Sequence, residues 1–118
     1  MRAKDVLGRL GEEAAARHLA ELGWTIIERN WRCPEGELDI VARDGASLVV
    51  CEVKTRSGLV YGAPVEAVTP AKAARLRRLA SRWVAMRGVA YATVRIDAIG
   101  LVSEGGGRFS IDHLRGVC

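Results

Sequence analysis

Two short charged segments, joined by an Asp-Gly pair, most constrain how this chain can fold. The segments 36–40 (GELDI) and 51–55 (CEVKT) each alternate polar and apolar residues, which is typical of β-strands, and Asp44-Gly45 between them predicts a hairpin. Because strand side chains alternate between two faces, the charged residues of each segment share one face. The opposite, apolar face is predicted to belong to the core and comprises Leu38, Ile40, Ala42, Val49, Cys51 and Val53.

The length of the hairpin loop decides which charged residues meet. A two-residue loop at Asp44-Gly45 would set Glu37 opposite Glu52, whereas a four-residue loop would set Asp39 opposite Glu52 and Glu37 opposite Lys54. Either register gathers three carboxylates and one ammonium group on one face. A loop of odd length without a bulge would separate them.

Crowded carboxylates repel one another, and a hard cation such as Mg²⁺ or Mn²⁺ relieves that repulsion. A bound ion of this kind polarises a phosphate and lowers the pKa of a water molecule, and Lys54 beside it would hold that water or stabilise developing negative charge. The alternative is a solvated strand face with Glu–Lys pairing. The combination of both segments with the hairpin favours a metal site.

Periodicity and turn residues predict an α/β fold with a central mixed β-sheet flanked by helices. The 118 residues suit one domain, spanning 1–118. Residues 32–36 are predicted to form a turn, and 57–64 a mobile loop in which Tyr61 belongs to a substrate lid. The predicted elements are a helix over 5–22, strands over 24–30, 37–43 and 47–55, a helix over 70–86, a strand over 92–102, and a final strand or turn over 109–114.

The second predicted helix is basic. No acidic residue occurs from Ala67 to Ile96, and the formal net charge of the chain is +4, which favours a polyanionic partner. Arginines at helical spacing repel one another, and nucleic-acid phosphates would offset that repulsion; the alternative is a solvated face. The buried stripe of this helix is predicted as Ala73, Leu76, Ala80 and Trp83, and the nucleic-acid-binding residues as Lys72, Arg75, Arg78, Arg82 and Arg56.

Cysteine usage predicts a cytoplasmic protein. Cys33, Cys51 and Cys118 are odd in number and lack C-x-x-C spacing, so neither a disulfide framework nor a zinc site is expected. We also expect no signal peptide and no membrane span, because no apolar run is long enough.

The chain closely resembles the bacterial YraN-like family, whose members have an endonuclease-like fold. The resemblance covers nearly the whole chain. It is carried by residues 8–12 (GRLGE), 29–32 (RNWR), 36–42 (GELDIVA), 50–56 (VCEVKTR), Lys72 and 95–97 (RID). More broadly, Asp39 with Glu52-Val53-Lys54 resembles the PD-(D/E)xK signature of the restriction-endonuclease superfamily, and 8–12 is similar to the first helix of archaeal Holliday-junction resolvases.

The resemblance implies a restriction-endonuclease-like fold and a role for each matching residue. Asp39, Glu52 and the Val53 carbonyl would bind Mg²⁺ or Mn²⁺, Lys54 would orient or activate water, and Glu12 would reach in from the first helix. Without the resemblance, Glu12 is equally explained by the favourable field near a helix N-terminus. Two further residues, His18 and His113, are expected to be a core histidine and a packing or capping residue.

We therefore expect a nuclease that hydrolyses DNA with a divalent metal ion, with branched or single-stranded DNA among its candidate substrates. A homodimer is a further expectation, because action on two strands needs two sites. The alternative is a nucleic-acid-binding module that has the fold but does little chemistry. A weaker possibility is a scaffold that uses the basic helix for docking.

Overall fold

The computed structural model of the chain describes residues 3–58 and 68–117, so the predicted lid residue Tyr61 lies outside the described residues. The order of helices and strands agrees with the order predicted from the sequence. The elements are helix α1 (Ala3–Glu21), strands β1 (Thr25–Cys33), β2 (Gly36–Asp44) and β3 (Ser47–Arg56), helix α2 (Pro70–Arg87), and strands β4 (Thr93–Gly105) and β5 (Arg108–Leu114).

The strands form a mixed sheet in the order β1-β2-β3-β4-β5. Strands β3 and β4 are parallel and are connected through α2, while the other neighbouring strands are antiparallel. The predicted α/β architecture with a mixed sheet and flanking helices is therefore confirmed. Within the described part of the chain, no helix has the length and apolarity needed to span a membrane.

The first hairpin is tighter than predicted. Arg32 and Cys33, expected in a turn, instead pair with Glu37 and Gly36 and extend both strands. Only Pro34-Glu35 remains between the paired residues. The prediction of a turn over 32–36 is therefore wrong in its bounds. Backbone pairing extends to Cys33 and Gly36, so the turn consists of Pro34-Glu35 alone.

Both faces of the sheet are buried, each under one helix. Close approach of α1 to β3 depends on Gly11, since a Cβ atom there would lie 2.1 Å from Thr55 Oγ1. The cluster on the α1 side contains Ala14, Ala15, Ala16, Leu19, Trp24, Ile40, Ala42, Val49, Cys51, Ile99 and Leu101. The cluster on the α2 side contains Leu38, Val41, Leu48, Val50, Leu76, Leu79, Ala80, Trp83 and Ile96.

Strand β2 does not keep a strict alternation of faces. Leu38 was predicted to share a face with Ile40, but Leu38 packs in the α2-side cluster while Ile40 packs in the α1-side cluster. The pairing of β2 with β3 also ends at Ile40. The prediction for Leu38 is wrong because the alternation of faces is interrupted between these two residues.

Helix α2 begins and ends as its sequence predicts. The Thr69 side chain accepts a hydrogen bond from the backbone N–H of Lys72, Pro70 is the first helical residue, and Gly88 ends the helix with a φ of 67°. All four residues of the predicted stripe are buried, and Leu79 is buried with them. The stripe fixes the helix on the sheet, and the Thr69 cap fixes its first turn.

Candidate active site

The register of the β2–β3 hairpin brings the predicted acidic residues together. The pairing ends with Ile40 opposite Cys51, so Asp39 and Glu52 are the next residues of the two strands, and their charges interact. This is the register we predicted for a four-residue loop, but it is reached with only Gly45-Ala46 outside the paired residues. The other predicted register, with Glu37 opposite Glu52, is wrong. It assumed Asp44-Gly45 as the loop, whereas the loop is Gly45-Ala46 and Asp44 pairs with Ser47.

Asp39 is the most strongly perturbed carboxyl group of this site. Its Oδ2 accepts a hydrogen bond from the Val53 backbone N–H at 2.8 Å. Burial raises the pKa of Asp39 to about 7, the Val53 N–H opposes the rise, and the negative charges of Glu52, Glu37 and Glu12 add to it. The protein therefore places a carboxyl group where its charge is poorly compensated, which is a common property of functional sites.

Glu52 is the second buried carboxylate and is 8% exposed. Two ammonium groups approach the same oxygen, since Lys72 Nζ lies 2.8 Å from Glu52 Oε1 and Lys54 Nζ lies 3.9 Å from it. By strand alternation Glu52 and Lys54 share the face that α2 covers. The first turn of α2 thus delivers Lys72 to the site that β3 forms.

The two lysines differ in how readily they lose a proton. Burial lowers the pKa of Lys54, and the hydrogen bond and charge of Lys72 lower it further. Burial also lowers the pKa of Lys72, but the hydrogen bond and charge of Glu52 outweigh burial and raise it overall. Lys54 is therefore the lysine better suited to accept a proton, and Lys72 is the one that stays charged beside Glu52.

The other two predicted carboxylates lie at the rim of this site. Glu12 Oε1 accepts a hydrogen bond from Asn30 Nδ2 at 2.7 Å and lies 3.6 Å from an Arg29 nitrogen. Glu37 pairs with the Arg32 guanidinium at 3.1 Å, and about half of its side chain is exposed. The charges of both glutamates raise the pKa of Asp39. The buried carboxylates of the site are Asp39 of β2 and Glu52 of β3.

The oxygen donors of the site suit a hard cation. Within the described residues, no group of three Asp, Glu, His or Cys side chains is placed to hold a metal ion. Asp39 and Glu52 supply two carboxylates, and the Val53 carbonyl is the third ligand predicted from the resemblance. Mg²⁺ is commonly bound through one or two carboxylates together with water and phosphate oxygens, and Asp39 and Glu52 are ligands of that type.

The arginines of α2 predicted to bind nucleic acid lie on its outer side. Arg75, Arg78 and Arg82 are exposed and line a groove of about 380 Å³ together with Leu79 and Glu35. The face is less purely basic than the helix sequence indicates, because Glu35 from the β1–β2 turn pairs with Arg82.

Arg56, the last residue of β3, is the remaining residue predicted to bind nucleic acid. Its Nε is buried and has no hydrogen-bond partner within the part of the chain described. Its position two residues after Lys54 in the same strand puts it close in sequence to the candidate active site. Its role in binding nucleic acid stays a prediction.

Sequence reasoning missed a buried polar cluster around Asp97, which pairs with Cys51 in the β3–β4 ladder. Asp97 is fully buried and accepts hydrogen bonds from Arg95 at 2.8 and 3.1 Å and from the Gly116 backbone at 3.0 Å. Its other contact is His113 Nε2 at 2.8 Å, and His113 Nδ1 lies 3.0 Å from His18 Nε2. A lone carboxylate inside an apolar strand was the available signal, since such a group needs partners.

This cluster explains both histidines and holds α1, β4 and β5 together. The assignment of His113 as a packing residue agrees with its burial, whereas His18 is only partly buried and so lies at the edge of the core. Burial raises the pKa of Asp97, but the bonds from His113 and Arg95 outweigh burial and lower it overall. The cluster therefore has a structural role, because it connects α1, β4 and β5.

Comparison with known proteins assigns the chain to a family. The family model described as "Uncharacterised protein family UPF0102" matches residues 11–101. A UPF0102 protein of Nocardioides sp. is 60% identical over 97% of this chain and 92% of its own length. A UPF0102 protein of Frankia casuarinae is 57% identical over 98% of each chain, and one of Acidothermus cellulolyticus is 50% identical over 97% of this chain and 94% of its own. The chain therefore belongs to the uncharacterised protein family UPF0102.

Proposed function

We propose that this protein is a metal-dependent nuclease that hydrolyses phosphodiester bonds in DNA. The observation that carries the proposal is the juxtaposition of Asp39, Glu52 and Lys54 where the recorded β2–β3 pairing ends, with Lys54 Nζ 3.9 Å from the nearly buried Glu52 carboxylate. Buried carboxylates with like charge nearby cost stability. Their placement beside a lysine with a lowered pKa is better explained by chemistry than by folding.

A restriction-endonuclease-like fold is part of this proposal. A mixed five-stranded sheet with one helix on each face supports it. The D…E-x-K pattern of Asp39, Glu52 and Lys54, placed on two neighbouring strands, supports it as well. Fold alone does not assign function, so catalysis is assigned to these side chains and not to the fold.

The side chains present define what each residue would contribute to the reaction. Asp39 and Glu52 would hold Mg²⁺ or Mn²⁺, which polarises a phosphodiester and lowers the pKa of a water molecule. Lys54 in its neutral form would accept a proton from the attacking water. As the water oxygen bonds to phosphorus, the bond from phosphorus to O3′ would break. The departing O3′ would take up a proton from solvent, so that the products are a 3′-hydroxyl and a 5′-phosphate.

Lys72 and the arginines would act on binding rather than on bond cleavage. Lys72 holds the Glu52 carboxylate from the α2 side at 2.8 Å, which fixes its orientation. Arg75 and Arg78 present exposed positive charge on the same helix. Such charges would contact backbone phosphates and make DNA binding depend on salt concentration.

The test is cleavage of labelled linear, single-stranded, flapped and four-way DNA with Mg²⁺ or Mn²⁺. The wild-type protein is compared with Asp39→Ala, Lys54→Ala and the control Arg108→Ala, which removes a charge on the opposite edge strand. We expect cleavage by the wild type and the control and none by the two site variants. Cleavage by Lys54→Ala at the wild-type rate would refute the assignment.

A nucleic-acid-binding module without catalysis is the second candidate function. The observation in its favour is that Lys72 and Lys54 already neutralise Glu52 without a metal ion. This function predicts that no DNA in the panel is cut, while wild type and Asp39→Ala bind DNA equally. It further predicts that replacing Arg75, Arg78 and Arg82 with glutamine flattens the salt dependence of binding.

A further inference from the structure

We propose that a polar cleft between α1 and β1 binds a phosphodiester group of the nucleic acid, next to the one at the candidate active site. The cleft encloses about 550 Å³. This inference rests on the proposed function, because it extends the path of the same substrate. The α1–β1 cleft is lined by Arg9, Glu12, Glu13, Arg29, Asn30 and Arg32.

The α1–β1 cleft adjoins the candidate active site. In the β1–β2 ladder Arg29 pairs with Ile40 and Trp31 pairs with Leu38, so Asn30 takes the position beside Asp39. The arginines of α2 lie beyond the opposite face of the sheet. A DNA strand that crosses the candidate active site from the α2 face of the sheet would therefore reach the α1–β1 cleft next.

Arg29 is a donor of the α1–β1 cleft whose hydrogen bonding is incomplete within the described residues. Its Nε is buried and lacks a hydrogen-bond partner within the part of the chain described. Its terminal nitrogen is held at 2.9 Å by Glu13 and lies 3.6 Å from Glu12. A buried donor without an acceptor is costly, and a guanidinium group matches the paired oxygens of a phosphate.

The backbone at Asn30 gives a second, independent indication. Among residues 3–58 and 68–117, Asn30 is the one non-glycine residue with a positive φ, at 55°. Asparagine tolerates this region better than most residues, and strained backbone is concentrated at functional sites. The conformation accompanies the bond from Asn30 to Glu12 Oε1 at 2.7 Å, and this bond offsets part of the repulsion between Glu12 and a phosphate.

Arg32 offers a cation that can move to a ligand at little cost. Its side chain is 78% exposed, and its partner Glu37 is about half exposed. Ion pairs in such surroundings contribute little to stability. The three arginines and two glutamates lining the α1–β1 cleft leave one positive charge, which matches the single negative charge of a phosphodiester.

The test measures the binding of fluorescently labelled single-stranded DNA oligonucleotides by anisotropy, in a chelating buffer without divalent ions. Arg29→Met and Arg32→Gln are compared with Arg108→Gln, which removes the same charge at the opposite edge of the sheet. We expect each cleft variant to bind about tenfold more weakly and to lower the slope of log Kd against log salt by about one. The control is expected to keep both values.

Arg32→Gln keeps the test valid if Arg29→Met fails to fold, because Arg32 is largely exposed. Cleft variants that bind as tightly as Arg108→Gln, or a wild-type protein that binds no DNA, would overturn the proposal. Failure of the proposed function is distinguishable from this result. Without any cleavage, weaker binding by the cleft variants still supports the cleft, whereas Asp39-dependent cleavage with unchanged binding supports the nuclease and overturns the cleft.

Discussion

Lys72 Nζ lies 2.8 Å from Glu52 Oε1, so the first turn of α2 supplies the cation closest to the buried carboxylate of β3. The resemblance to the wider nuclease superfamily gave roles to Glu52 and Lys54. The structure adds Lys72 as the cation nearest to Glu52, and its hydrogen bond and charge add to burial in lowering the pKa of Lys54. The properties of the candidate active site are therefore shared between the two strands and the helix that covers them.

Replacing Lys72 with methionine should destabilise the fold, because among the described residues Glu52 then keeps only the more distant Lys54. We expect the free energy of unfolding in urea to fall by about 1–2 kcal/mol. The pKa of Lys54 should rise, since the neighbouring positive charge is gone, and NMR titration of the lysine side chain measures this. Arg78→Met, an exposed change on the same helix, is the control; an equal loss in both variants would contradict the role given to Lys72.

Replacing Asp39 with asparagine should stabilise the protein at neutral and alkaline pH. Because the pKa of Asp39 is raised from 3.8 to about 7 in the folded state, that state binds more protons and wild-type stability is lost as pH rises between these values. Asparagine at position 39 does not titrate, so the variant does not lose stability in this way. Its amide oxygen can still accept the hydrogen bond from the Val53 backbone N–H. We expect a gain of up to about 4 kcal/mol above the folded pKa, vanishing in acid. A difference independent of pH, measured in urea, would contradict this account.

Divalent cations should stabilise the wild-type protein and not the Asp39→Asn variant. A bound Mg²⁺ or Mn²⁺ favours the ionised form of Asp39 and binds the folded state alone, so it raises the melting temperature with concentration. The effect should grow as pH rises through the pKa of Asp39. Thermal unfolding with and without a chelator measures it, and an equal shift in both proteins would place the ion elsewhere.

The two glycines early in α1 should respond oppositely to substitution. Gly11→Ala places a Cβ 2.1 Å from Thr55 Oγ1, so the helix must move and stability should fall by about 1–3 kcal/mol. A Cβ at Gly8 meets nothing within 4 Å, so Gly8→Ala should stabilise the helix by up to about 1 kcal/mol. Equal effects in urea unfolding would show that the contact with Thr55 is not limiting.

The histidine pair should make the fold sensitive to acid. Burial, followed by the charge of His113, lowers the pKa of His18, Glu21 opposes that shift and Arg115 adds to it. The folded state therefore takes up fewer protons, and stability is lost as pH falls below about 6.5. His18→Gln keeps a donor for His113 but cannot titrate, so the pH-dependent difference from the wild type should follow this range. A constant difference would contradict the assignment.

The sequence predicted the parts of the molecule that depend on local chemistry. The cap at Thr69, the end of α2 at Gly88 and the buried stripe of α2 follow from residues close in the chain. The register at the Asp39–Glu52 step was one of two predicted alternatives, because turn length could not be read from Asp44-Gly45 alone. A shift of one residue in the position of the turn decides whether Glu37 or Asp39 of β2 lies nearest to Glu52 of β3.

Long-range contacts could not be predicted in the same way. His18, Asp97 and His113 come from three separate elements, and nothing in one sequence indicates that their side chains meet. The position of Leu38 was missed because a strict alternation was assumed through Asp39, where the strand departs from it. These features depend on how helices and strands pack against each other.

The parallel pairing of β3 with β4 has a consequence for how the chain folds. The strands β1, β2 and β3 are joined by short turns, as are β4 and β5, so each group can form from local contacts. Joining the groups requires closure of the long connection that contains α2, which we expect to be the slow step. Glu52 belongs to the first group and Lys72 to that connection. The ion pair between them would therefore form late, and a refolding intermediate would have Asp39, Glu52 and Lys54 together but not yet Lys72.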